Sequence, residues 1–168
     1  QEEELRKDIS LKKATHNPAV PNIGFIGAGN FAQNMLLPNM KGLCDFTAIA
    51  TAQGNNTMYV AKKYGFTSAY YDGDKVINDP NVNTIFVVTR HNLHAEFVLK
   101  ALNAGKHVFV EKPLAMNETE LEAIKSTITQ SNRNNHSIAS SPNLMVGFNH
   151  RFSPAIQKAK KLFRDEQP

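Results

Sequence analysis

The chain has 168 residues, a formal net charge of +4 and one cysteine; that length builds one domain with attachments, since domains run at about 100–200 residues. The basic residues are scattered, with the densest cluster at Lys158, Lys160 and Lys161, which argues against nucleic-acid binding, where a concentrated basic face is needed. No apolar run approaches the ~20 residues of a membrane span, the charged start lacks a signal peptide's apolar core, and Cys44 has no internal partner, so a cytoplasmic protein without membrane contact is expected.

Residues 1–21 mix charges with Asn17-Pro18 and Pro21 and read as a linker. From Asn22 the texture changes. Ile23-Gly24-Phe25-Ile26 reads as a short strand, followed by a glycine turn and a helix over Phe31 to Met40 that Pro38 shortens or kinks. Phe46 to Thr51 reads as the next strand and Thr57 to Tyr64 as a helix, capped by Asn55 or Asn56 and stopped by Gly65. A short helix ends at Asp79-Pro80, and Thr84 to Thr89 has the apolar, β-branched texture of a strand covered on both faces. Leu93 to Ala104 is a helix closed by Gly105, and Val108-Phe109-Val110 a strand. Asn117 and Glu120 form a capping box for a helix to Thr129, with Ser131 to Asn143 as a polar loop. Leu144 to Phe148 is the last strand, and Ser153-Pro154 opens a final helix. This alternation predicts an α/β fold, a doubly wound, mostly parallel sheet of Rossmann type over residues 22–150, with 151–168 starting a connection to a further domain. The first residue is Gln and the chain stops inside a helical pattern, so it is read as a piece of a longer protein.

Gly27-Ala28-Gly29-Asn30-Phe31-Ala32 follows a strand and opens a helix, the context in which a Gly-x-Gly-x-x-Ala turn holds a dinucleotide. The first glycine permits the tight turn, and the second lets the backbone approach a pyrophosphate. Ala32 lets the helix pack close, and the helix N-terminus presents N–H donors. Glycines that serve packing alone are the alternative. The acid expected about 20 residues further on to bind the ribose of NAD is absent. That strand ends in Thr51-Ala52-Gln53-Gly54, where no Arg marks a 2′-phosphate either. Thr51 and Gln53 are ribose ligands or turn residues, and the cofactor is NAD or NADP.

Glu111-Lys112-Pro113 puts a cation at the carboxyl end of a later strand. A Lys beside a nicotinamide can donate to a substrate oxygen or help move its proton, with Glu111 orienting it; an exposed ion pair is the alternative. Thr89, Arg90 and His91 line the cleft after the fourth strand, while His94 starts the helix. No third ligand joins His91 and His94, so no metal is expected. Asn149-His150-Arg151 faces the same cleft or forms a solvated turn.

Taken in order, Gly24 to Ala32, Thr89 to Ala95, Gly105 to Leu114 and Val146 to Pro154 resemble the Gfo/Idh/MocA family of glucose–fructose oxidoreductases and inositol dehydrogenases, over about residues 22–163. The resemblance implies NAD or NADP on Gly27, Gly29 and Ala32, with Asn30 and Phe31 in the same turn. Thr89, His94, Glu111 and Lys112 surround the nicotinamide end, and Lys112 is catalytic. It implies hydride exchange with a sugar, sugar nucleotide or polyol, completed by a His or Asp in a second α/β domain that lies outside this chain. A homo-oligomer is expected. Arg90-His91 stands where many members have Pro-Asn, a variant that resembles the second half of two-part bacterial oxidoreductases beginning with a zinc alcohol-dehydrogenase-like module. A reading of another class, a non-catalytic dinucleotide-binding module with a regulatory or structural role, is disfavoured by the retained Lys112. Without the second domain, the end near Phe148, Phe152 and the Ala155–Phe163 helix should expose apolar surface.

Overall fold

The computed structural model describes residues 8–12, 20–134 and 141–163. Seven strands form one sheet: β1 (Ile9–Ser10), β2 (Asn22–Ile26), β3 (Asp45–Ala50), β4 (Ser68–Tyr70), β5 (Thr84–Val87), β6 (His107–Glu111) and β7 (Leu144–Gly147). Their order is β1-β4-β3-β2-β5-β6-β7, parallel throughout except for β1 against β4. The chain winds from β2 outward through β3 and β4, then returns to the other side of β2 for β5, β6 and β7. This is the doubly wound Rossmann-type fold. Its switch point lies between β2 and β5, and ligands of such sheets bind there beyond the carboxyl ends of the strands.

The helices follow the sequence pattern with informative departures. α1 (Asn30–Met40) is a composite: a π turn over Ala32–Leu36 passes into an α turn over Leu37–Met40, and the Leu37 N–H reaches back to the Ala32 carbonyl. Pro38 gives the reason, since it has no N–H to donate and its ring crowds the carbonyl one turn back, so the helix widens ahead of it. α2 (Gly54–Tyr64) starts earlier than expected. Gln53 is its N-cap, without a side-chain cap bond, and Asn55 and Asn56 lie inside the first turn; it stops at Gly65. α3 (Gly73–Ile77) is short, and a 3-10 turn at His91–Leu93 leads into α4 (His94–Asn103).

Half of the capping box of α5 (Glu118–Asn134) is formed: the Glu120 N–H donates to Asn117 Oδ1 at 2.9 Å, while the Glu120 carboxylate accepts the N–H of Met116, one residue before the cap, at 2.7 Å. The helix passes Thr129 because polarity alone does not stop a helix, and no Gly or Pro intervenes before Pro142. α6 (Pro154–Leu162) is capped by the Ser153 hydroxyl, which accepts the Ile156 N–H.

Two strands escape the sequence pattern. β4 is too short to show a period, yet pairs Ala48 to Ala50 of β3. Within the segment read as a linker, β1 pairs Ile9 with Ala69, and the Leu11 N–H donates to the Thr67 carbonyl at 2.7 Å. The rest of that segment, 1–7 and 13–19, lies outside the described residues.

Both faces of the sheet are packed, as parallel strands require. On one face Ile26, Ala48, Ile85, Val87 and Val110 meet Val76, Val98, Leu102 and Ile124 of α3, α4 and α5. On the other, Ile23, Phe25, Phe46 and Ile49 meet Leu37, Val60, Ala61 and Phe66 around α1 and α2. Phe25, Phe86 and Phe109 are register neighbours across β2, β5 and β6, stacked at 5.0 and 4.7 Å. The stripe ends at Met145 on β7, which is 48% exposed, so cover on this face thins toward β7.

Candidate dinucleotide site

Two clefts meet at the carboxyl edge of the sheet, of about 770 and 460 Å³, and share Gly29, Val88 and Thr89. The two glycines of the turn do different work. Gly27 has φ +94°, its N–H donates to the Ala50 carbonyl at 2.8 Å, and a Cβ there would stand 2.5 Å from the Val88 carbonyl oxygen. It therefore seats the turn between the ends of β3 and β5. A Cβ on Gly29 would meet nothing within 4 Å. No protein atom demands glycine there; the open space is what a phosphate needs for close backbone approach. Asn30 and Phe31 begin α1, whose first N–H groups have no carbonyl within the helix to bond, and Ala32 is buried against the sheet. These residues fit a dinucleotide pyrophosphate.

The larger cleft is lined by Asn30, Phe31, His91, Glu111, Lys112 and Asn149. The exposed Lys112 ammonium pairs with no carboxylate among the described residues. Glu111, expected to orient that ammonium, is turned elsewhere. Its carboxylate accepts the Lys112 backbone N–H at 3.3 Å and the Asn149 side-chain amide at 3.1 Å. It also lies against Gly147, where a Cβ would come within 2.7 Å of Oε1. Glu111 thus ties the end of β6 to the turn after β7, while the Lys112 ammonium, just past the strand, stays free for the cleft.

His94 is fully buried. Its Nδ1 lies 2.7 Å from the Pro113 carbonyl and its Nε2 3.2 Å from the Thr89 carbonyl, which pins the loop after β5 to the loop after β6. His94 thus shapes the cleft through backbone, whereas His91 packs edge-on against it from the exposed side. Arg151 donates to the Phe148 and Val146 carbonyls at 3.1 and 3.2 Å and covers the Phe148 and Phe152 rings, so it braces the turn that carries Asn149.

The smaller cleft gathers Gly27, Thr51, Gln53, Asn56, Asp72 and Arg90. The Thr51 hydroxyl lies 2.7 Å from that of Thr57 and 2.8 Å from the Gln53 carbonyl, and so braces the β3–α2 turn at the edge of the cleft. Tyr71, Asp72, Gly73 and Phe97 also line this cleft and were not foreseen. Three of them follow the unrecognised β4. Their one sequence signal is the Asp-Gly of a helix start: the Asp74 N–H donates to the Asp72 carboxylate at 3.0 Å. Among the described residues no group of three or more His, Cys, Asp or Glu is placed to hold a metal ion, and no helix is long and apolar enough to cross a membrane.

The family model for the oxidoreductase family with NAD-binding Rossmann fold, Gfo/Idh/MocA, matches residues 21–137. The chain belongs to this family. It is 30% identical over 153 residues to a levoglucosan dehydrogenase of Pseudarthrobacter phenanthrenivorans, covering 86% of this chain and 37% of that protein. It is 31% identical over 141 residues to a myo-inositol 2-dehydrogenase of Thermotoga maritima, covering 83% and 39%. The chain therefore spans well under half the length of these relatives. Its fold superimposes on an NAD-binding oxidoreductase from Klebsiella pneumoniae with a TM-score of 0.69 at 29% identity, covering 88% of this chain and 39% of the other. The fold also matches scyllo-inositol dehydrogenase from Lactobacillus casei, solved with NAD(H) and scyllo-inositol, with a TM-score of 0.75 at 24% identity, covering 87% and 41%. As a Gfo/Idh/MocA member the chain is an NAD-binding Rossmann domain of oxidoreductase type.

Proposed function

We propose that this domain serves an enzyme that exchanges hydride between a nicotinamide cofactor and a sugar, sugar-nucleotide or polyol substrate. The observation that carries the reading is the Lys112 ammonium, free of any described carboxylate, in the same cleft as the Gly29–Ala32 turn. Gly27, Gly29 and the start of α1 hold the pyrophosphate, and Thr89, His91 and Asn149 border the nicotinamide end. A bound nicotinamide supplies the hydride acceptor or donor. Lys112 donates a hydrogen bond to the substrate oxygen and helps move its proton, and Glu111 and His94 fix the loops on either side of it. The activity is that of the full-length protein; the named relatives are dehydrogenases of levoglucosan and inositol, which supports a polyhydroxylated substrate.

The reading includes a homo-oligomer, a second domain that covers the exposed side chains of Phe148, Phe152, Ile156 and Leu162, and a cytoplasmic location, supported by the single cysteine. The test is Lys112→Ala in the full-length protein, assayed with NAD and NADP against inositols and anhydrosugars. A loss of about 10²-fold or more in kcat is expected, the scale of a positioned proton-transfer group. Turnover near wild type in the variant would return Lys112 to an exposed surface cation, and binding of cofactor without turnover of any substrate by the wild type would favour the non-catalytic module.

A further inference from the structure

We infer that the smaller cleft selects NADP over NAD, with Arg90 binding the 2′-phosphate of the adenosine ribose. The inference rests on the dinucleotide reading of the groove. The cleft adjoins the Gly27–Gly29 turn, so it receives the adenosine half when the pyrophosphate sits on that turn. A pocket built for NAD places a carboxylate on the ribose diol at the end of the strand after the glycine turn, and that charge repels a 2′-phosphate. β3 ends instead in Thr51, Ala52 and Gln53. The Thr51 hydroxyl is engaged with Thr57 and the Gln53 carbonyl, and the exposed Gln53 side chain is neutral.

Two charged residues line this cleft, Asp72 and Arg90. Asp72 stands beyond β4, one strand further out, with its carboxylate on the Asp74 N–H at the start of α3. Arg90 enters from the end of β5. The strand order brings β3 and β5 to either side of β2, which is how an arginine distant in sequence from β3 comes to share its cleft. Arg90 is exposed, and its guanidinium has no hydrogen-bond or ion-pair partner among the described residues. A planar guanidinium with free donors matches phosphate oxygens bidentately, and such charge-assisted bonds are about twice as strong as neutral ones.

The experiment is calorimetric titration of the full-length protein, and of its Arg90→Ala and Arg90→Lys variants, with NADP, NAD, adenosine 2′,5′-bisphosphate and AMP. Wild type should bind NADP and the bisphosphate at least about tenfold more tightly than NAD and AMP. Arg90→Ala should weaken the two 2′-phosphorylated ligands by about tenfold and leave NAD within about threefold, while Arg90→Lys, which keeps charge but loses the fork, should fall between. The exposed position makes the melting temperature of each variant the control for folding. NAD bound as tightly as NADP, or an equal loss for both in Arg90→Ala, would overturn the inference and leave the groove intact. Failure of all four ligands to bind would overturn the dinucleotide reading, and this inference with it.

Discussion

The two clefts that meet at Gly29 differ in how far this chain completes them. The smaller is framed by groups already bound to one another: Thr51 to Thr57 and Gln53, and Asp72 to the start of α3. The larger ends at Phe148, which is 56% exposed, and at Arg151 and Ser153, just ahead of α6, which has no buried residue. It also holds the Lys112 ammonium without a described partner. On the proposed reading, binding and chemistry are then separable: the turn shared by both clefts seats the dinucleotide, and the Lys112 side of the larger cleft serves the reaction. Substitutions on the two sides should therefore move different quantities.

The widest separation is expected at Lys112. In the full-length protein Lys112→Ala should cut kcat by about 10²-fold, with cofactor affinity held within about threefold, read by steady-state kinetics beside a binding titration. Equal losses in both would erase the distinction between the clefts. Next come the two turn glycines. Gly27→Ala forces a Cβ against the Val88 carbonyl at positive φ, and should destabilise the fold by about 2–3 kcal/mol in urea denaturation. Gly29→Ala, with open space around its Cβ, should stay within about 0.5 kcal/mol of wild type. The smallest effect belongs to the brace between β6 and β7. Asn149→Ala removes the hydrogen bond to Glu111 at an exposed position and should cost about 0.5–1 kcal/mol of stability, lowering kcat more than cofactor affinity. A larger drop in affinity than in turnover would move Asn149 to the binding side of the comparison.

What could be read in the sequence follows from what each signal depends on. β2, β3, β5 and β6 declare themselves because burial on two faces demands runs such as Ile23–Ile26 and Thr84–Val87. β1 and β4 do not, because two or three residues carry no period, and losing β4 also hid Tyr71 and Asp72 from the site. The glycine turn was legible as a local motif, whereas the open space at Gly29 and the tight seat of Gly27 are tertiary facts. The same holds at the reactive end. Lys112 was marked by its place at a strand end, but the turn of Glu111 toward Asn149 depends on how β7 pairs with β6, a contact no local pattern encodes. The sequence places Arg90 at the cleft after the fourth strand; that it shares the smaller cleft with Gln53 follows only from the strand order.

The central claim, that the turn after β2 seats a dinucleotide pyrophosphate, is tested most directly by titrating NAD and NADP against wild type and Gly29→Val. Binding of both nucleotides should weaken at least about tenfold, about 1.4 kcal/mol, because a side chain then fills the space the phosphates need. The nucleotide-free melting temperature should stay within a few degrees of wild type, about 1 kcal/mol or less, since no protein atom lies in the way. Unchanged affinity for both nucleotides in a folded Gly29→Val protein would contradict it.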